Sequence, residues 1–268
     1  MTILPVPATP VPAAPGARLR RMRIAMGTSV LIEAQAPTRA AAETAIAAAF
    51  AVLETVARRL NPAEPGSDLH ALNSAPAGTW VPLWPGTLAL LRHAQRLHRA
   101  SGGLFDPCVP GRPGRTCDLE LAGGARAQAR ARLALEIDCG GIAKGFAVDL
   151  ALQALRAHGS RAGLVNAGGD LRTFGRPAAP LLLRGADGGL RPLALRGGAV
   201  AVSDRDAQRA PSGHRGYYVR TGRAGSVRYA AVRARTALLA DALTKCVLLA
   251  PPAQARALLE AFGAERLA

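Results

Sequence analysis

The sequence predicts an α+β fold, built as a single compact domain with mixed or antiparallel sheets and flanking helices. Segments with alternating apolar residues, typical of strands, are mixed with segments whose apolar residues recur every three or four positions, typical of helices. The two kinds of segment do not alternate regularly, as they would in a parallel βαβ fold. The 268 residues contain no repeat of solenoid period and give ample length for a core.

In the first half of the chain, residues 19–33 alternate loosely around Gly27, as two strands would. Residues 38–60 predict a helix, because apolar side chains recur at helical spacing until an Asn-Pro step stops it. A second helix is predicted over residues 85–101, with proline at its start and two glycines after its end. Residues 104–107, Leu-Phe-Asp-Pro, are predicted to form a turn.

In the second half, strands and helices are again mixed. A strand is predicted over residues 131–138, followed by a helix from about 141 to 158 and a strand over 162–166. A sharp turn at Gly168 and Gly169 leads into a further strand. The remaining predicted elements are several short strands within 181–232 and two helices near 237–249 and 251–262.

Residues 1–16 predict a disordered, proline-rich arm in front of a domain that spans 17–268. The arm has five prolines and no apolar periodicity, so it has little to bury. It shows no charged start, apolar core or lipid-attachment cysteine of an export signal, and the expected compartment is the cytoplasm. No uninterrupted apolar run approaches the roughly 20 residues of a membrane span, and none is expected.

The formal charge of +16 comes almost entirely from arginine, and the only lysines are Lys144 and Lys245. A nucleic-acid-binding protein is one alternative, with the eight arginines between Arg205 and Arg235 as its best feature. Aromatic residues make up only 4% of the chain, too few for a base-stacking surface, and no nucleic-acid partner is expected. The four cysteines form no CxxC pair, so no zinc site is predicted.

The densest motif is IDCGGIAKGFAVD, residues 137–149. A predicted strand ends at Asp138, two glycines allow close backbone approach, and a helix begins whose N–H groups can attract an anion. Lys144, one turn inside, can place positive charge on a phosphate, and Asp138 can accept a hydrogen bond from a sugar or a base. Taken alone, the motif is equally compatible with a glycine-rich corner that has a solvated lysine. Its spacing matches neither a Walker loop nor GxGxxG.

Five further segments favour the ligand-binding interpretation of this motif over the glycine-rich corner. They are MGT at 26–28, SDLHALN at 67–73, SGGLFDP at 101–107, GLVNAGGDLRTFG at 163–175 and LLADALTK at 238–245. In order and content, the six motifs resemble the ApbE family of flavin transferases, FAD:protein FMN transferases. The resemblance covers most of the chain, and it implies an ApbE-like (T-fold-related) domain.

The resemblance implies that the chain takes FAD as substrate, transfers FMN to a threonine of a separate acceptor protein through a phosphodiester bond and releases AMP. It implies Mg²⁺ as cofactor, held by the Gly141 carbonyl, Asp241 and Thr244. It assigns catalytic roles to Asp241 and Lys144, and to His214 if that residue replaces the family's histidine. The residues that it places at FAD are Met26, Thr28, Leu104, Phe105, Asp106, Asp138, Lys144, Asn166, Gly168 and Gly169.

Two departures from the family pattern bear on these expectations. The family's HiiDPrTG stands here as RGYYVRTG, residues 215–222, without the Asp-Pro step. In the last motif, Lys245 occupies the position of the family's threonine, and a protonated lysine cannot ligate a metal. We therefore predict weaker dependence on Mg²⁺ than in a typical relative, and keep a non-catalytic FAD-binding protein as an alternative. The chain contains no copy of the family's acceptor motif, so self-flavinylation is not expected.

Some of these residues have simpler interpretations. Met26 and Phe105 could be core side chains, Asp106 a turn residue before proline, and Asp149 a surface charge on its helix.

Overall fold

The computed structural model describes residues 4–5, 16–124, 126–175, 179–185, 187–195, 197–204 and 228–267. Within these ranges the predicted α+β architecture is confirmed, with thirteen strands, six α-helices and a short 3-10 helix at Thr116–Asp118. The α-helices are α1 (Arg39–Arg59), α2 (Asp68–Ser74), α3 (Pro85–Ala100), α4 (Ala143–Ala157), α5 (Ala237–Leu249) and α6 (Pro252–Ala261). The strands are β1 (Leu4–Pro5), β2 (Ala17–Ala25), β3 (Thr28–Ala36), β4 (Val81–Pro82), β5 (Leu119–Ala122), β6 (Gln128–Ala131), β7 (Ala162–Ala167), β8 (Asp170–Phe174), β9 (Ala179–Arg184), β10 (Leu190–Leu195), β11 (Gly198–Asp204), β12 (Tyr229–Ala234) and β13 (Glu265–Arg266).

The centre of the molecule is a seven-stranded sheet with strand order β13-β12-β11-β8-β7-β3-β2. Its neighbouring strands all run antiparallel. Helices α1, α4 and α5 pack together on one face. Alternate residues of a strand point to opposite faces of the sheet: on β11, Ala199 and Ala201 face the main core under the helices, whereas Val200 faces the opposite side.

The opposite face of the large sheet is covered by a three-stranded sheet of order β1-β9-β10. Leucines of β9 and β10 form a second apolar cluster there with Leu164, Leu171 and Val200. Residues 4–5, part of the arm that the sequence predicts to be disordered, form β1 and pair with β9. A third sheet, of order β4-β6-β5, lies beside α2 and α3.

Helix α1 is long and apolar enough, by length and composition alone, to cross a membrane. The sequence prediction of no span rested on uninterrupted apolar runs, a stricter criterion than mean hydropathy. In the structure one face of α1, including Ile46, Phe50 and Leu53, is buried in the main core. Helix α1 therefore packs as a core helix of this domain.

The prediction of a strand over residues 131–138 is wrong for most of that segment. Strand β6 ends at Ala131, and the chain then runs without regular structure to a single bridge between Ile137 and Cys108. The backbone of Ile137 bonds instead to the side chain of Asn73. An apolar pattern cannot reveal that a side chain has replaced a neighbouring strand.

Candidate functional site

Two hairpin turns lie side by side at one end of the large sheet. Met26 and Gly27 join β2 to β3, and Gly168 and Gly169 join β7 to β8. All four residues have positive φ, as two-residue turns of this kind require. A side chain at Gly168 would come within 2.5 Å of the Thr28 hydroxyl. The turns therefore meet only because position 168 is glycine, and two of the sequence motifs come together here.

Met26 has φ of 52°, and it is the one non-glycine with positive φ among the residues that the structure describes. This conformation is costly for a residue with a side chain, and strained residues of this kind cluster at functional sites. The Met26 side chain is half-buried and packs against the core. Its position at the turn fits the predicted role at the ligand, and its packing also fits the simpler interpretation.

Asp138 ends an extended segment and shapes the loop before α4. Its backbone N–H donates to the Pro107 carbonyl at 2.9 Å, and its Oδ1 accepts from the Gly140 N–H at 2.8 Å. The side chain is half-buried, so its second oxygen is available to a ligand. Gly141 lies against Phe105 and the stem of Lys245. The loop therefore brings the motif at residues 137–149 next to the Leu-Phe-Asp turn and next to the motif at residues 238–245.

The start of α4 is not the open anion site that the sequence predicts. The N–H groups of Ile142 and Ala143 donate to the Cys139 carbonyl, and that of Gly145 donates to Asp241 Oδ2 at 3.0 Å. Asp241, on α5, thus supplies an anion to the helix N-terminus, where negative charge is favourable. A phosphate at this corner must rely on the neighbouring lysine.

A cluster of four charged side chains, which we call the charge cluster, lies at this point: Lys144, Asp170, Asp241 and Lys245. Lys144 Nζ donates to Asp170 Oδ2 at 2.7 Å and lies 3.9 Å from Asp241 Oδ2. Lys245 Nζ donates to Asp241 Oδ1. Three members are almost completely buried, whereas the Lys144 side chain is 32% exposed. Lys144 is thus the member of the cluster best placed to meet a ligand.

Within the charge cluster, burial and then the neighbouring Asp241 carboxylate raise the pKa of Asp170 to about 6. Lys144 and Lys245 act in the opposite direction, because positive charge favours the ionised carboxylate. Two carboxylates can share this small volume because two ammonium groups lie between and beside them.

Thr244, predicted as a metal ligand, is fully buried. Its hydroxyl donates to the Asp241 carbonyl at 2.6 Å and lies 2.6 Å from the Ser203 hydroxyl. Asp241 itself is engaged on both oxygens, by the Gly145 N–H and by Lys245. The described residues contain no group of three or more His, Cys, Asp or Glu side chains arranged to hold a metal ion.

The Leu-Phe-Asp turn has a mainly structural arrangement. Phe105 is buried and its N–H donates to the Ser101 hydroxyl, while Leu104 packs at the edge of the core. Asp106 Oδ1 accepts from the Cys108 N–H at 2.9 Å and from the Thr116 hydroxyl at 2.7 Å. Burial, and then this carboxylate, raise the pKa of the Cys108 thiol to about 12, so Cys108 is an inert neutral thiol.

Of the remaining predicted site residues, Asn166 is described by the structure and His214 is not. The side chain of Asn166 is buried, and its Oδ1 accepts from the Gly169 N–H at 3.2 Å, which stabilises the second turn. His214, and the whole RGYYVRTG segment at 215–222, lie outside the described residues.

Two residues that position the site have roles that the sequence reasoning missed. Asp149 is buried, and its two oxygens accept from the N–H groups of Ala237 and Leu238 at the start of α5. Asn73 anchors the segment that leads into Asp138. A signal for Asp149 exists in the sequence, because it lies three residues from Phe146 and three from Leu152, on the buried side of α4.

The ApbE family model matches residues 26–111 and 115–267. An FAD:protein FMN transferase of Rhodobacter capsulatus is 30% identical over an alignment of 178 residues, and the match covers 56% of this chain and 33% of that protein. The chain thus matches about a third of the length of this curated relative.

Solved structures share the fold at low sequence identity. The flavinyl transferase ApbE of Pseudomonas stutzeri superposes with a TM-score of 0.77 at 20% identity, covering 93% of this chain and 90% of that one. An ApbE protein of Thermotoga maritima gives 0.75 at 23% identity, with coverages of 92% and 91%. The flavin transferase ApbE of Vibrio cholerae gives 0.74 at 19% identity, with coverages of 93% and 92%. Since the family model covers most of the sequence and these folds agree along its length, the chain belongs to the ApbE family.

Proposed function

We propose that this protein is an FAD:protein FMN transferase. Its family membership and the name of its Rhodobacter capsulatus relative support this activity. The observation that carries the proposal is Lys144: a partly exposed ammonium group, held by Asp170 at the start of α4. A lysine held in this way is a point charge suited to the pyrophosphate of a dinucleotide.

The proposed reaction breaks the phosphoanhydride bond of FAD and forms a phosphoester bond to the acceptor. The hydroxyl oxygen of an acceptor threonine attacks the phosphorus on the FMN side of the pyrophosphate, and a new P–O bond forms. The bond from that phosphorus to the bridging oxygen breaks, and AMP leaves with the bridging oxygen. The hydroxyl proton is released, so FAD and the acceptor yield FMN-acceptor, AMP and one proton.

Such a transfer depends on positioning and on charge stabilisation more than on covalent help from the protein. Lys144 offsets charge on the pyrophosphate as it passes to the leaving AMP. The paired turns at Met26 and Gly168 give a surface where a backbone can approach a flat ligand closely. Asp138, with an oxygen free of the Asp138–Gly140 bond, is the proposed acceptor for a polar group of FAD.

Mg²⁺ is implied by the resemblance, but the donor set described above does not fit it well. Both Asp241 oxygens already accept hydrogen bonds, and one of their donors is an ammonium group. The Thr244 hydroxyl donates its hydrogen bond to the Asp241 carbonyl. We therefore assign no step of the reaction to a metal ion.

The transfer is tested by incubating the protein with FAD and an acceptor domain that carries the family's Asp-x-x-Ser/Thr-Gly-Ala-Thr motif. Chromatography measures released AMP, and mass spectrometry measures flavin bound covalently to the acceptor. We expect equal amounts of both products, and neither with an acceptor whose target threonine is replaced by valine. FAD binding without either product would instead support a non-catalytic FAD-binding protein. That alternative is favoured by Lys245, which occupies the position of the family's threonine.

A further inference from the structure

Of the 34 basic residues in the chain, only Lys144 and Lys245 are lysines, and both belong to the charge cluster. Arginine serves everywhere else, including the ion pairs of Arg172 with Asp149 and of Arg130 with Glu120. An ammonium group is a compact point charge, whereas a guanidinium is a wide planar fork. The charge that lies against the fully buried Asp241 is this compact kind, the Lys245 ammonium group.

Lys245 holds the position at Asp241 that a bound cation would need. The Asp241 side chain is fully buried, and its Oδ1 accepts from Lys245 Nζ. Its Oδ2 accepts from the Gly145 N–H and lies 3.9 Å from Lys144 Nζ. The Lys245 stem runs beside Gly141, whose backbone carbonyl is another of the expected metal ligands. The ammonium group therefore lies among the atoms that would have to hold Mg²⁺.

The net charge of the charge cluster also disfavours a bound divalent cation. Asp170 and Asp241 supply two negative charges, and Lys144 and Lys245 supply two positive ones. A site for a hard divalent cation normally has an excess of carboxylate charge. This cluster has none, and a divalent cation near it would be repelled by an ammonium group that is already bound to the best ligand.

We propose that Lys245 is a built-in cation of this site, so that the protein binds the pyrophosphate of FAD without a divalent metal ion. Lys245 neutralises Asp241, which would otherwise repel a phosphate at Lys144. The proposal rests on the proposed function, because it names how that same site balances the charge of its substrate.

The experiment measures FAD affinity by fluorescence quenching in EDTA and in millimolar Mg²⁺. For the unaltered chain we expect dissociation constants that agree within about twofold, since no metal takes part. In Lys245→Thr, which restores the family side chain, we expect FAD binding about tenfold or more weaker in EDTA, from the loss of a charged hydrogen-bonding group. Mg²⁺ should recover most of that loss, because Asp241 and the new hydroxyl are then free to bind it.

Lys245→Met is the matched control, since it removes the ammonium group and offers no oxygen ligand. It should bind FAD weakly in EDTA and in Mg²⁺ alike. Titration with Mn²⁺, followed by electron paramagnetic resonance, adds a readout that needs no FAD. We expect no stoichiometric binding to the unaltered chain and one bound ion in Lys245→Thr.

A tenfold loss of FAD affinity in EDTA for the unaltered chain, or one tightly bound Mn²⁺ in it, would overturn the built-in cation and leave the proposed function standing. Failure of the unaltered chain to bind FAD under either condition would contradict the proposed function instead. Both measurements on the unaltered chain decide the question even if the variants do not fold.

Discussion

The side chain of Asn73 pairs with the backbone of Ile137 as a residue of a neighbouring strand would. The Ile137 N–H donates to Asn73 Oδ1 at 2.8 Å, and Asn73 Nδ2 donates to the Ile137 carbonyl at 3.0 Å. Ile137 is fully buried and immediately precedes Asp138. Asn73 thereby fixes the segment from which the site begins.

Asn73→Ala should lower the free energy of unfolding by about 2–4 kcal/mol, because it leaves two buried backbone groups without partners. Urea unfolding measures the change. Gln153→Ala, at an exposed position of α4, is the control and should change it by less than about 0.5 kcal/mol. Equal effects of the two substitutions would show that the Asn73 pairing contributes nothing.

Asp149 joins three elements, since it accepts from the start of α5 and from Arg172 of β8 at 2.7 Å. Asp149→Asn should cost about 2–4 kcal/mol, because it weakens a helix cap and removes half of a buried ion pair. A double-mutant cycle with Arg172→Gln measures their coupling by urea unfolding. We expect the double variant to lose less than the sum of the single losses; strict additivity would refute a direct interaction.

Gly145 allows α4 and α5 to touch. A Cβ at this position would lie 2.2 Å from the Ala237 carbonyl oxygen and 2.8 Å from Asp241 Cβ. Gly145→Ala should therefore destabilise the fold by about 1–3 kcal/mol, although alanine is the better helix former by about 1 kcal/mol. In the control Gly123→Ala, the nearest atom is the end of the flexible Arg92 side chain. A stability gain in Gly145→Ala, measured by thermal unfolding of both variants, would contradict the close helix contact.

The pH dependence of stability should report Asp170, which faces Lys144 of α4 and Asp241 and Lys245 of α5. Its folded-state pKa of about 6 lies above the ordinary 3.8, so the folded protein binds this proton more tightly than the unfolded chain does. Its contribution to stability therefore falls as pH rises from 3.8 to 6 and is level above that range. Urea unfolding at a series of pH values should show this slope in the unaltered chain and a shallower one in Asp170→Asn. Identical slopes would mean that Asp170 has an ordinary pKa.

The parts of the fold that local patterns determine were predictable from the sequence. Helix α1, predicted over 38–60 and observed at Arg39–Arg59, has a clear apolar period and a capping threonine at position 38. The turn at Gly168 and Gly169 was expected from the paired glycines.

The rest depends on contacts between distant parts of the chain. Ala237, at the helix start that Asp149 caps, lies 88 residues from Asp149, and Ile137 lies 64 residues from Asn73. No local pattern states that Asp241 would cover the start of α4 and leave Lys144 as the partly exposed charge. The motifs named Lys144, Asp241 and Gly141, which lie near one another in the fold, but their hydrogen-bond partners could be read only from the folded chain.

The most direct test of the account is an equilibrium titration that compares FAD with riboflavin, which has the same ring system and no phosphate. If Lys144 binds the pyrophosphate, the protein should bind FAD saturably and at least about tenfold more tightly than riboflavin. Lys144→Ala should remove most of that difference, while Lys144→Arg, which keeps the charge, should retain part of it. Equal affinity for the two flavins, or an unchanged FAD dissociation constant in Lys144→Ala, would contradict the assignment of this site.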